Sequence, residues 1–139
     1  MGIEELNAIL WDERELLDAL QFAIETEQWV LSSGRARWLT RSSDQVRSAV
    51  DDLRRTEILR AAAADAVASD VGLAPAPTLA TIAARVLEPW RSILAEQRAA
   101  LLDATDAVDR ASAVAVEGLS GLRAALADHS PADVEATDR

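Results

Sequence analysis

Residues 3–31 read IEELNAILWDERELLDALQFAIETEQWVL. Ile3, Leu6, Leu10, Leu17, Leu20, Ile24 and Leu31 recur at alternating three- and four-residue spacing, which puts them on one face of an α-helix. A flanking column of Ile9, Leu16, Ala23 and Val30 widens that face to suit a helical bundle. At 1.5 Å per residue the segment is about 45 Å long, too long for a compact globule of this size. It predicts an elongated helical hairpin. Glu13 and Glu27 break the stripe, and a carboxylate at a seam position is costly unless a partner answers it.

Ser32, Ser33 and Gly34 are small, permissive residues that end this helix and reverse the chain. The apolar pattern restarts after Arg35 with Leu39, Val46, Val50, Leu53 and Leu59, and leads into an Ala-rich run that ends near Asp70. Gly72, Pro75 and Pro77 stop the second helix, and Thr78 is placed to cap a short helix over 79–86. Pro89 reads as a first-turn residue of a last long helix, with Trp90, Leu94, Leu101, Ala104, Val108 and Ala111 on its seam. That helix is expected to run to about Ala127. Gly118 and Gly121 lie in its last turns, each costing about 1 kcal/mol against Ala, so its final third is expected to be marginal. Residues 1–127 form the expected single domain. Residues 128–139, DHSPADVEATDR, are polar, have nothing to bury, and are expected to be a disordered tail.

An antiparallel hairpin turning at Ser33 and Gly34 sets residue i opposite roughly 67 minus i. Glu13 then faces Arg54, and Glu27 faces Thr40 and Arg41. The pairs Glu13–Arg54 and Glu27–Arg41 are therefore the expected register markers. Each contributes only about 0–1 kcal/mol, but a slipped hairpin would leave a carboxylate against a hydrophobe.

Bulk properties exclude several functions. A net charge of −10 argues against nucleic-acid or anionic-membrane binding, both of which need a cationic surface. All 14 basic residues are arginine, and there is no cysteine, so neither a disulfide framework nor thiol chemistry is available. The N-terminus lacks the basic flank of a signal peptide, and no apolar run reaches the roughly 20 residues of a membrane span. These features predict a cytoplasmic protein with no membrane insertion. The only histidine, His129, stands in the polar tail, so neither a bundle metal site nor a Ser-His-acid arrangement can be assembled. No catalytic residue, metal or cofactor is expected, and the chain does not read as an enzyme. Trp90 and Trp38 are expected to pack at a helix start and over the hairpin turn. Trp11 and Trp29 lie off the main stripe and face either a third helix or a partner.

Taken in order, ILWDERELLDAL through Glu27, the GRARWL turn, PTLATIA and the EPWRSIL start of the last helix make the chain resemble a FlgN-type flagellar export chaperone. The likeness covers about residues 3–127, and the chain is similar to versions from high-GC Gram-positive bacteria. It implies a cytosolic helical protein that binds the C-terminal segments of hook-associated proteins before type III export. It further implies that these partners are kept from premature assembly and delivered to the flagellar export gate. A marginal amphipathic helix gains stability when a client helix fills its under-packed face. Val108, Val116, Leu119, Leu122 and Leu126 are the expected client-facing residues; the alternative is that they pack on the hairpin or across a homodimer. Competing classes are a secreted or structural helical-hairpin protein and a generic coiled-coil dimerisation element. Against the secreted class, the turn reads SSGRARW and lacks Trp-x-Gly.

Overall fold

The computed structural model describes residues 2–137, except for the side chains of residues 119, 122 and 126–137. Three long helices and a short one carry the fold: α1 (Ile3–Ser33), α2 (Leu39–Val71), α3 (Leu79–Arg85) and α4 (Trp90–Thr137). A single 3₁₀ turn, Ala36–Trp38, lies between α1 and α2. No strand occurs among the described residues, and the all-α hairpin with a third long helix is the architecture observed.

Local chemistry explains the helix boundaries. Gly34 and Gly72 follow α1 and α2 with φ of 71° and 74°, a left-handed conformation that costs a glycine little. Thr78 caps α3 as expected, its Oγ1 accepting from the Thr81 N–H at 3.1 Å. At the start of α4, Glu88 accepts from the Ser92 N–H at 3.2 Å and from the Ser92 hydroxyl at 2.8 Å. Pro89 lies just before the helix rather than in its first turn, and its carbonyl accepts from the Ile93 N–H at 3.2 Å. The far end of α4 also differs from expectation, since the helix continues past Ala127 to Thr137. The side chains of the expected tail, 128–139, lie outside the described residues.

α1 is the shared element. It packs against both α2 and α4, whereas α2 and α4 do not closely approach one another among the described residues. The hairpin is antiparallel, and α4 runs parallel to α1. Two hydrogen bonds fix that second relation: Arg14 Nη1 donates to Gln97 Oε1 at 3.1 Å, and Gln28 Nε2 donates to the Ala111 carbonyl at 2.8 Å. Both join residues 83 apart in the chain, and Gln97 also reaches Asn7, one heptad earlier on α1, so the two helices keep nearly the same offset over about four turns of α1.

Two hydrophobic clusters lie along α1. The larger contains Leu6, Leu10, Ala63, Ala64, Val67, Ile82 and Leu94, with Trp90 packed against it. The smaller, toward the hairpin turn, contains Leu20, Ile24, Ala49 and Ala111. Alanines fill much of the space contributed by α2, so helices approach closely but bury little area per residue. A polar layer around Glu13, Arg14, Gln97 and Arg60 separates the clusters.

The larger cluster should dominate stability. Leu94→Ala, at a fully buried position, is expected to cost about 3 kcal/mol, whereas Leu102→Ala, at a half-exposed one on the same helix, should stay within about 0.5 kcal/mol. Chemical denaturation followed by circular dichroism at 222 nm compares the two.

Candidate functional site

Three features could carry function: the polar layer, the end of α4 beyond the hairpin, and the aromatic side chains that α1 leaves in solvent. In the polar layer Glu13 is only 7% exposed, and its nearest cation is Arg60, whose Nε lies 3.4 Å from Glu13 Oε1. At that separation the contact is coulombic, and Oε1 accepts no hydrogen bond. Burial pushes the Glu13 carboxyl up to about 8; hydrogen bonding to Glu57 and its negative charge push the same way, and Arg60 opposes them. Glu57 is held below the usual carboxylate range, first by its hydrogen bond from Arg60, whose Nε lies 3.1 Å from Glu57 Oε2. Near neutral pH the layer therefore holds one proton on Glu13 and one ion pair, Glu57–Arg60.

The expected register markers do not form. Arg54 extends into solvent and lies 3.9 Å from Asp51 on its own helix, nearly two turns from Arg60, the cation that Glu13 meets. Glu27 accepts from the Ser43 hydroxyl at 2.9 Å, while Arg41 is exposed and makes no ion pair among the described residues. The cause is the length of the connection. Residues 34–38 are all spent between α1 and α2, so the turn centres on residue 36 and residue i faces roughly 72 minus i. Glu13 with Arg60 and Glu27 with Ser43 both fit that relation; a tight reversal at Ser33 does not.

The constant offset between α1 and α4 sets Ser33, the last residue of α1, beside Val116. From Glu117 to Thr137, about 30 Å of α4 extends past the end of the hairpin. At the exit, a cleft of about 290 Å³ is lined by Gln28, Leu31 and Ser32 of α1 and by Val114, Ala115 and Gly118 of α4. Val114 and Val116 are 56% and 61% exposed. Of the residues expected to face a client, Val116 is thus available at the surface. Val108 is not: it is half-buried against the smaller cluster with Leu20 and Ile24. The side chains of Leu119, Leu122 and Leu126 lie outside the described residues. Sequence inspection missed Val114, which lies off the α4 seam and becomes part of the cleft only because α1 ends beside it.

The tryptophans separate as a group. Trp90 packs against the larger cluster, and Trp38 sits at the turn with the Arg37 guanidinium 4.6 Å from its ring centroid. Trp11 and Trp29 face solvent at 50% and 79% exposure, as does Phe22 at 70%. No group of three or more acidic, histidine or cysteine side chains placed to hold a metal occurs among the described residues. None of the described helices is long and apolar enough to cross a membrane.

An elongated all-α bundle whose last helix overruns its support leaves an apolar seam of the kind on which another helix can dock. The FlgN protein family matches residues 1–114, and the chain belongs to that family of flagellar export chaperones. No curated protein and no solved structure matches the chain. The family match stops at residue 114, within two residues of the point where α4 leaves the hairpin.

The buried carboxyl makes stability depend on pH. Because the unfolded chain releases the Glu13 proton near its ordinary value of 4.5 and the folded chain holds it to about 8, stability falls as pH rises across that interval. Glu57 acts in the opposite sense, its contribution being lost as pH falls below the carboxylate range. Glu13→Gln, a neutral isostere, should flatten the alkaline limb and raise Tm at pH 8 by about 5 °C, with little change at pH 5. Thermal melts of both proteins from pH 4 to 9 measure this.

Proposed function

We propose that this protein is a cytoplasmic chaperone of type III flagellar export that binds the C-terminal segments of hook-associated proteins. In this role it keeps them from assembling early and passes them to the export gate. Family membership supports the general role. The observation that carries the finer reading is the overrun of α4: past Val116 the helix has no hairpin residue left to meet.

An amphipathic client helix laid along α4 beyond the turn would supply the missing neighbour. The cleft between Leu31 and Val114 gives its first apolar residue a place to dock, and Val116 extends that surface. Leu119, Leu122 and Leu126 would continue the contact. Val108 is left out because it already serves the hairpin. The contact needs no cofactor and no nucleotide. Its free energy comes from apolar burial, offset by the entropy of ordering the client.

Isothermal titration with a synthetic peptide of the C-terminal segment of a hook-associated protein from the same genome tests the proposal. Wild-type protein should bind with a Kd of about 10 μM or tighter. Val114→Asp combined with Val116→Asp should weaken binding about tenfold or more while leaving Tm within about 2 °C, since both positions are exposed. Absence of binding by the wild type at about 50 μM, or equal binding by the double variant, would overturn it.

A further inference from the structure

The outer face of α1 carries an aromatic stripe that the bundle does not use. Trp11, Phe22 and Trp29 are separated by eleven and seven residues, which are close to three and two whole turns of a helix. All three therefore stand on one line parallel to the α1 axis, over about 27 Å, opposite α2 and on the open flank beside α4. Their exposures of 50%, 70% and 79% agree with that placement. Aromatic side chains in a row on the solvent face of a helix are an interaction surface in search of a partner.

The charge around the stripe selects the partner. α1 contains eight carboxylates and a single cation, Arg14. Glu4, Glu15, Asp18 and Glu25 are exposed and fall on the same side of the helix as the aromatic rings. Arg14 itself shows what the rings accept, since its guanidinium lies 4.1 Å from the Trp11 centroid. Phe22 and Trp29 carry no such cation among the described residues.

A second copy of the chain is a poor occupant. Two α1 stripes paired antiparallel about residue 20 would set Trp11 against Trp29 but also Glu15 against Glu25, and a parallel pairing would set Asp18 on Asp18. Both arrangements juxtapose carboxylates. We infer that the outer face of α1 docks a basic amphipathic helix of another protein, whose apolar residues meet Trp11, Phe22 and Trp29 and whose arginines or lysines meet the flanking carboxylates. Arginine fits best, because one guanidinium can pair with Asp18 and stack on Phe22, or pair with Glu25 and stack on Trp29, each four residues further along. The stripe adjoins the α4-exit cleft only at Trp29, one turn from Ser32, and runs away from it along α1, so Trp11 and Phe22 offer a second partner a place while a client is held.

The probe is a synthetic helical peptide of about 20 residues with leucines at three- and four-residue spacing flanked by arginines. A scrambled peptide of equal composition and a version with every arginine replaced by glutamate are the controls. Fluorescence anisotropy of the labelled peptides at about 0.15 M salt measures binding. The patterned basic peptide should bind at least about tenfold tighter than either control, and Phe22→Ser with Trp29→Ser should remove that margin without lowering Tm. Asp18→Arg with Glu25→Arg should reverse the preference toward the glutamate peptide. Equal binding of patterned and scrambled peptides would overturn the inference. So would a dimer in sedimentation velocity that the Phe22/Trp29 variant abolishes, or loss of the hook-associated peptide in that same variant. Failure of the hook-associated peptide to bind wild-type protein bears on the client proposal alone.

Discussion

Gln97 decides how the bundle is assembled. It is almost wholly buried, accepts from Arg14 and donates its amide to Asn7 Oδ1 at 2.9 Å. Sliding α4 by one turn along α1 would leave that amide against apolar side chains, at a cost of about 1–3 kcal/mol for each unsatisfied group. The hydrophobic clusters on either side cannot impose the same discrimination, because their alanines and leucines would find other small neighbours after a slip. A buried amide in the middle of a long seam, bonded to Arg14 and Asn7, thus sets the register, and the Gln28–Ala111 bond repeats it near the far end. Once the offset is fixed, the length of α1 dictates where α4 loses its support.

The two acidic interruptions of α1 belong to the same logic. Glu13 marks the boundary between two cores, and its carboxyl is held neutral by burial beside the Glu57–Arg60 pair. A fully apolar layer there would be more stable but would distinguish less between registers, as buried polar groups do in other helical assemblies. Glu27 needs no cation, because it is half-buried near the turn and the Ser43 hydroxyl satisfies it.

Much of this was legible in the residues. The periodicity of 3–31 announced a long amphipathic helix, Thr78 announced a cap, and the order of the segments pointed to the family that matches. The partners of Glu13 and Glu27 were not legible, because hairpin register depends on how many residues the connection consumes. The reversal was set at Ser33 and Gly34, yet Ala36–Trp38 closes a further 3₁₀ turn and delays α2 to Leu39. That delay moved the cation opposite Glu13 from Arg54 to Arg60. The parallel offset of α4 was equally hidden, since Gln97 and Gln28 look like surface glutamines until a neighbouring helix is set beside them. For the same reason Val108 read as available to a partner, although it is half-buried against the smaller cluster.

Because the chain has no cysteine, its helix register can be read directly by cross-linking. Ser33→Cys would be combined in turn with Asp109→Cys, Val116→Cys and Arg123→Cys, which lie one heptad apart on α4, and treated with a bismaleimide of about 8 Å span. The offset of 83 residues predicts efficient intramolecular linkage with Val116→Cys and little with the other two. Strongest linkage at Asp109→Cys or Arg123→Cys would contradict the account, because α4 would then leave the hairpin somewhere other than the end of α1.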